Sequence, residues 1–201
     1  MNVLVTGATG FVGRTLLGEL ATHGHEAIPA VRRPAGLLRE AVVPDLHAQT
    51  DWATALTGCD AIVHLAARVH VMHDTADDPL ALYRATNTDA TLNLARQAAQ
   101  AGVKRFVFVS SIKVNGEGRD AAYCETDVPA PEDAYAISKW EAEKGLQQIA
   151  QETGLELVIL RPPLVYGPEV KANFLRLMQT VRKGWPLPLG AIDNRRSLLY
   201  L

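Results

Sequence analysis

Short apolar runs alternating with helix-period segments predict an α/β protein with a doubly wound parallel sheet. A glycine-rich turn between the first apolar run and the first helical segment supports this reading, as does the length. At 201 residues the chain suffices for one domain with a well-buried core and is short for two. Hydrophobic residues make up 48% and the net charge is −2, the composition of a globular protein. There is no basic excess to suggest a nucleic-acid partner, no apolar stretch long enough for a bilayer, and no signal peptide in the N-terminal run. Cys59 and Cys124 make neither a metal spacing nor a disulfide framework. Reduced thiols in a cytoplasmic protein are expected.

Asn2–Thr6 reads as the first strand, and 11–23 as a helix with Phe11, Leu16, Leu17 and Leu20 on one face. A second strand is expected over 25–31, a weaker third over 40–43, a short helix over 52–56 and a buried fourth strand over 61–66. Asp78 and Pro79 supply the N-cap and first residue of a long helix that reaches Gln100 and is closed by Gly102. Arg105–Val109 is the most strand-like run. A second long helix over 132–152 is stopped by Gly154, followed by a sixth strand over 155–160. A further helix over 173–183 precedes Gly184 and Pro186. The apolar run 197–201 reads as a strand whose edge needs covering, so the chain is expected to be truncated relative to a longer parent.

After the first strand, Gly7 permits a tight turn, Gly10 lets the backbone approach a pyrophosphate, and Gly13 lets the helix pack closely on the sheet. The helix N-terminus, at Phe11 and Val12, then directs N–H groups and positive dipole at the phosphates. The spacing is Gly-x-x-Gly-x-x-Gly, and its place between strand and helix makes the fold Rossmann-like, with a dinucleotide preferred over an empty structural turn. An acidic residue commonly ends the second strand and binds the adenosine ribose. Here Val31 stands there, followed by Arg32 and Arg33. Two guanidinium groups suit a 2′-phosphate and favour NADP over NAD; a solvated turn before Pro34 is the equal alternative. Asp45 and Leu46, after the third strand, are placed to meet the adenine, unless Asp45 serves only the turn.

Tyr135 and Lys139 are one helical turn apart and share a face. A phenol titrates near ~10 in water, so proton exchange at neutral pH needs help. An adjacent ammonium, with an oxidised nicotinamide, is expected to lower the Tyr135 pKa. Ser111 falls at the C-terminal end of the fifth strand, the edge where open α/β sheets bind ligands, and its hydroxyl suits a substrate carbonyl or alcohol. Together the three describe proton transfer coupled to hydride transfer at a secondary alcohol. An ordinary surface pair is the alternative for Tyr135 and Lys139. Arg68 either approaches the substrate or is a solvated loop residue. His64, His70 and His73 cluster in sequence without converging partners, and no metal site is expected.

Several separate segments carry a family resemblance: 6–13 as a cofactor turn, 60–67 as a fourth-strand motif passing the cofactor ribose, Asn87 in an Asn-x-x-Gly-Thr element, 109–116 as a serine motif, and 160–168 after the sixth strand. With Tyr135 and Lys139 they make the chain resemble an extended short-chain dehydrogenase/reductase of the NAD-dependent epimerase/dehydratase group, acting on nucleotide sugars. The resemblance covers essentially the whole chain. It implies Ser111, Tyr135 and Lys139 as catalytic residues, with Leu65, Ala66, Ala67, Asn87 and Pro162 added to the cofactor contacts. Lys113, Asn173 and Arg196 join Arg68 and Ser111 toward the substrate, Asn173 and Arg196 at its diphosphate. Ala90, Asn115, Ala134 and Ala136 depart from the usual pattern without removing chemistry. The domain division expected is a dinucleotide-binding part over 1–170 and the start of a substrate-binding region over 171–201.

The activity this implies is an NAD- or NADP-dependent 4-epimerase of nucleotide sugars, most simply UDP-sugars. A 4-keto reductase or dehydratase is the alternative, and a non-catalytic NADP-binding sensor a further one. A steroid- or flavonoid-type dehydrogenase is disfavoured by Arg196 and Asn173. The resemblance also implies a homodimer through the helices over 80–100 and 132–152.

Overall fold

The computed structural model describes residues 1–69, 78–118, 121–170, 172–187 and 195–201. They divide into two compact units, Met1–Arg161 and Pro162–Leu201. The first holds a parallel sheet of β1 (Asn2–Thr6), β2 (Glu26–Val31), β3 (Ala41–Val42), β4 (Ala61–His64), β5 (Arg105–Val109) and β6 (Glu156–Leu160), in the order β3-β2-β1-β4-β5-β6. The chain therefore winds outward from β1 to β3, then returns to the other side of β1. That reversal opens a crevice at the carboxyl ends of β1 and β4, where Thr6 lies opposite His64.

Both faces of the central strands are covered, which is why their sequences are continuously apolar. Val3 and Val5 pack with Leu16, Leu17 and Leu20 of α1 (Phe11–Thr22). Leu4, Ile62, Phe106 and Phe108 face the other way, against Leu94, Ala95 and Ala98 of one long helix and Ala142 and Leu146 of the other. A short α2 (Ala53–Leu56) adds Ala55 and Leu56 to the same core.

The first long helix is built in three parts: α3 (Pro79–Tyr83), a π-helical segment Arg84–Asp89, and α4 (Ala90–Gln100). Asp78 caps it, accepting from Ala81 N at 3.0 Å, with Pro79 at its first turn. The second is α5 (Ala134–Thr153). Asp133 caps it through Ala136 N at 2.7 Å, and Gly154, in the left-handed region at φ 77°, ends it. Gly145 lets the two helices approach closely, since a Cβ there would lie 2.6 Å from a Leu92 methyl.

In the second unit, β7 (Leu164–Tyr166) and β8 (Leu198–Tyr200) form a separate parallel pair alongside α6 (Ala172–Arg182). The Tyr166 ring lies 5.1 Å from Phe174 and 5.4 Å from Tyr200, centroid to centroid. β8 occupies the expected C-terminal run. β7 and the π segment have no counterpart in the sequence reading, and the fourth strand ends at His64, short of 66. Among the described residues no helix is long and apolar enough to cross a membrane.

Candidate active site

The glycine turn is enforced sterically. Gly7 sits at φ 67°, and a Cβ there would lie 2.9 Å from Ala66 N; at Gly13 a Cβ would lie 2.3 Å from the Gly7 carbonyl oxygen. Gly10 N donates to Gly7 O at 2.9 Å, and the first helical bond runs from Arg14 N to Gly10 O at 3.1 Å. The N–H groups of Phe11, Val12 and Gly13 precede that bond, and no side chain caps the helix. Such a donor set, backed by the helix dipole, fits a pyrophosphate. Arg32 and Arg33 are exposed at the end of β2 and line an open cleft of about 640 Å³ with Thr9, Val31, Pro44 and Asp45. Leu46, expected at the adenine, follows Asp45 on that loop and is half-buried, packed in part against the core.

Beneath the crevice runs a file of buried hydrogen bonds with a fixed direction. Leu65 N and Ala66 N donate to Thr6 Oγ1 at 3.2 and 3.1 Å. Thr91 Oγ1 donates to Asn87 O at 2.8 Å, so it accepts from His64 Nε2 at 2.9 Å. His64 Nδ1 is then the acceptor for the Thr6 hydroxyl at 2.7 Å. Burial, then the charge of Lys139, lowers the His64 pKa to about 3, so the ring is neutral as this bonding requires. His70 and His73 lie outside the described residues.

Asn87 sits in the π segment and spends both amide protons inside the protein, on Arg68 O at 3.0 Å and Ser138 Oγ at 3.0 Å. Its Oδ1 accepts from Arg68 N at 2.8 Å. The residue expected at the cofactor thus ties the loop after β4 to α5, and offers no free amide proton to a ligand in this structure. Ser138 completes the connection by donating to Tyr135 O at 2.7 Å.

Ser111 and Tyr135 are brought together and hydrogen-bond each other through their side chains. Ser110 is buried, its hydroxyl without a partner among the described residues. The Tyr135 ring stands edge-on to Tyr83 at 6.3 Å, and the Arg68 guanidinium lies 5.4 Å from the Tyr83 centroid. The expected lowering of the Tyr135 pKa is not found: it is raised. Burial is the largest cause, partly countered by the Ser111 hydrogen bond; Asp133 raises it further and Lys113 lowers it. Lys113 follows Ser111 on the 3-10 turn Ile112–Asn115 and donates to Asp133 Oδ2 at 2.7 Å and to Glu117. Burial opposes its charge, but those two carboxylates outweigh it and its pKa is raised.

Lys139, one turn along α5 from Tyr135, is almost wholly buried, with Nζ 3.9 Å from the Phe108 ring centroid. Burial lowers its pKa to about 7, against the opposing pull of Glu143. Glu143 is itself fully buried and is held by the Arg161 guanidinium, whose Nη1 also donates to Asn115 Oδ1 at 3.1 Å. Sequence reasoning missed Glu143, Arg161, Asp133 and Tyr83. A visible signal existed for the first pair, a carboxylate four residues after Lys139 and an arginine closing an apolar strand. Pro162, Asn173 and Arg196 belong to the second unit; the side chain of Asn173 lies outside the described residues.

The chain is 49% identical over 208 residues to the UDP-glucose 4-epimerase of Vibrio cholerae, covering all of this chain and 63% of that protein. It is 32% identical to a 3-beta-hydroxysteroid dehydrogenase of Mycolicibacterium neoaurum, over 91% of this chain and 52% of that one. A crystal structure of UDP-glucuronic acid 4-epimerase from Bacillus cereus, in complex with UDP-glucuronic acid and NAD, superposes with a TM-score of 0.83 at 26% identity, covering 100% of this chain and 69% of that one. The chain spans 63% and 52% of the lengths of the Vibrio cholerae and Mycolicibacterium neoaurum relatives, less than two thirds of each. Residues 3–201 match the NAD dependent epimerase/dehydratase family, and the chain belongs to that family.

Proposed function

We propose that this chain carries the proton- and hydride-transfer site of an NAD(P)-dependent nucleotide-sugar 4-epimerase. The observation that carries the reading is the hydrogen-bonded pair of Ser111 and Tyr135, one helical turn from a buried Lys139 at the carboxyl edge of the sheet. The name of the 49% identical relative supports the reaction class, and a UDP-sugar is the substrate proposed. Phe11, Val12 and Gly13 N–H groups would hold the pyrophosphate, with Arg32, Arg33 and Asp45 toward the adenosine and Leu65, Ala66, Ala67 and Pro162 along the remainder. When bound, the dinucleotide supplies a nicotinamide that accepts a hydride from the sugar C4 and returns it.

Tyr135 exchanges a proton with the sugar O4. Burial keeps its phenol protonated at rest, which suits giving a proton; taking one requires added positive charge nearby. Lys113 supplies a firm charge and Lys139 a conditional one, because an ammonium near neutrality gains charge when hydrogen-bond acceptors reach it. Ser111 orients O4 beside the phenol. Arg68, Lys113, Asn173 and Arg196 are proposed substrate contacts. A cytoplasmic homodimer packed through α3–α4 and α5 is the proposed assembly.

A 4-keto reductase is the second reading, favoured by Arg32 and Arg33 at the adenosine cleft, since a reductase exchanges NADPH at each turnover. A sensor has no need of the three retained catalytic side chains. The test is turnover of UDP-sugars and their 4-keto derivatives. Tyr135→Phe is expected to slow it by about 10²–10⁴-fold while nucleotide affinity is retained. A wild-type chain that binds nucleotide yet converts none of these substrates overturns the enzyme reading.

A further inference from the structure

We infer that Asp133 is a positioning residue: its carboxylate joins the turn that carries Ser111 to the helix that carries Tyr135, and so fixes the distance between the two hydroxyls. The inference rests on the reading of that pair as the proton-transfer site. Tyr135 is the second residue of α5, in the first turn, where N–H groups lack partners inside the helix. Ser111 opens the 3-10 turn Ile112–Asn115, and its hydroxyl accepts from Lys113 N at 3.3 Å, longer than an ordinary N–H···O bond. Neither local element therefore holds its hydroxyl firmly by itself. Asp133 reaches both elements. Its Oδ1 accepts from Ala136 N at 2.7 Å and starts α5, while its Oδ2 accepts from Lys113 Nζ at 2.7 Å.

Two further bonds lace the same segments, from Ala130 N to Val114 O at 3.0 Å and from Glu117 N to Glu132 Oε1 at 3.1 Å. Both end before the helix, whereas the Asp133 tie ends on its cap. Capping alone does not call for a charge, since asparagine and serine cap about as well as aspartate. Holding an ammonium does. Nor does the phenol gain from that charge: burial raises the Tyr135 pKa, the Ser111 bond lowers it, Asp133 raises it again and Lys113 lowers it. A carboxylate that opposes ionisation of the phenol, and exceeds what a cap needs, is explained by the bridge to Lys113. Lys113 also binds Glu117, but that partner lies four residues along the same stretch and spans nothing. The other groups around the phenol are Tyr83, edge-on, with Arg68 against the Tyr83 ring, and Lys139 one turn along α5.

The test compares the intact 201-residue chain with Asp133→Asn, which keeps a helix cap and loses the ammonium. Asp133→Ser, a second uncharged cap, should behave alike, and matching circular dichroism melts certify that the variants fold. Carbon-13 tyrosine NMR, with Tyr135→Phe assigning the resonance, reads the phenol pKa without turnover. Ser111→Ala should raise that pKa in the wild-type background and leave it unmoved in the Asp133→Asn background, where the two hydroxyls have separated. In turnover of UDP-sugars, Asp133→Asn should lower kcat about 10- to 100-fold with KM within about threefold. Glu117→Gln, which removes a charge but no tie, should stay within about threefold of wild type. An equal Ser111→Ala shift in the two backgrounds overturns the inference, as does an Asp133→Asn chain with wild-type kcat or a Glu117→Gln chain slowed as much. Absence of any shift in wild type overturns the hydroxyl pairing and the inference with it. A shift confined to wild type, in a chain that converts no sugar, instead overturns the proposed function and leaves the role of Asp133 standing.

Discussion

Lys139, inside α5, and Lys113, on the turn after β5, bring the same ammonium into the neighbourhood of Tyr135 under opposite conditions. Lys139 is stripped of water and laid on the Phe108 ring, with Glu143 the carboxylate that supports its charge, and its pKa falls to about 7. Lys113 keeps partial contact with water and binds two carboxylates, and its pKa is raised. The difference is set by what replaces the lost hydration. Near neutrality Lys113 is therefore the permanent cation of the site, while Lys139 is divided between charged and uncharged forms. A sequence shows two lysines; the packing makes one a fixture and the other a responder.

That contrast depends most on Glu143. Glu143→Ala removes the buried carboxylate that supports Lys139 and leaves Arg161 stranded, and should cost about 3–5 kcal/mol of stability. Urea unfolding measures it, and a loss below ~1 kcal/mol would mean Glu143 does not anchor this region. Lys139→Met removes the responder outright. The pKa of Lys139 is about 7 in the folded protein against an ordinary lysine value of 10.5, so between those values the unfolded chain holds a proton that the folded one lacks. Wild-type stability should accordingly gain from Lys139 as pH rises, by at most about 1.4 kcal/mol per pH unit. The Met variant should be the more stable protein at pH 7, with the gap closing toward pH 10; parallel pH profiles would contradict the assignment. The smallest effect is at the fixture. Lys113→Met should change stability by less than ~1 kcal/mol, because its pairs are partly exposed. It should nonetheless raise the Tyr135 pKa further, which carbon-13 tyrosine NMR reads once Tyr135→Phe assigns the resonance. An unmoved phenol would show that Lys113 acts only on Asp133.

Much of this architecture is legible in the sequence. β1 and β5 fall where their apolar runs do, and the caps Asp78, Pro79 and Gly154 mark their helices because capping chemistry is local. The π segment Arg84–Asp89 is not visible there, since one extra residue per turn hardly disturbs an apolar stripe. β7 is hidden between Pro163 and Gly167, and its partner β8 lies far along the chain. The side chains of the site are legible as types, and Ser111 does meet Tyr135. Their charge states are not. The fall of the Lys139 pKa follows from its burial against Phe108, and the rise at Tyr135 from burial that outweighs the Ser111 hydrogen bond and the charge of Lys113. Asn87 is marked by its motif, while its commitment to Arg68 and Ser138 depends on how the π segment turns it.

The file from Thr6 through His64 and Thr91 to Asn87 has one further consequence. A conduit that carries protons must leave each link able to point either way, and here every hydroxyl and ring nitrogen already has a single orientation. His64 is consequently a strut of set length between the strand that presents the glycine turn and the helix that carries Asn87. A ring that gained a second proton would have two donors and one acceptor too few, so the sheet and helix layers would lose their common spacer at that point.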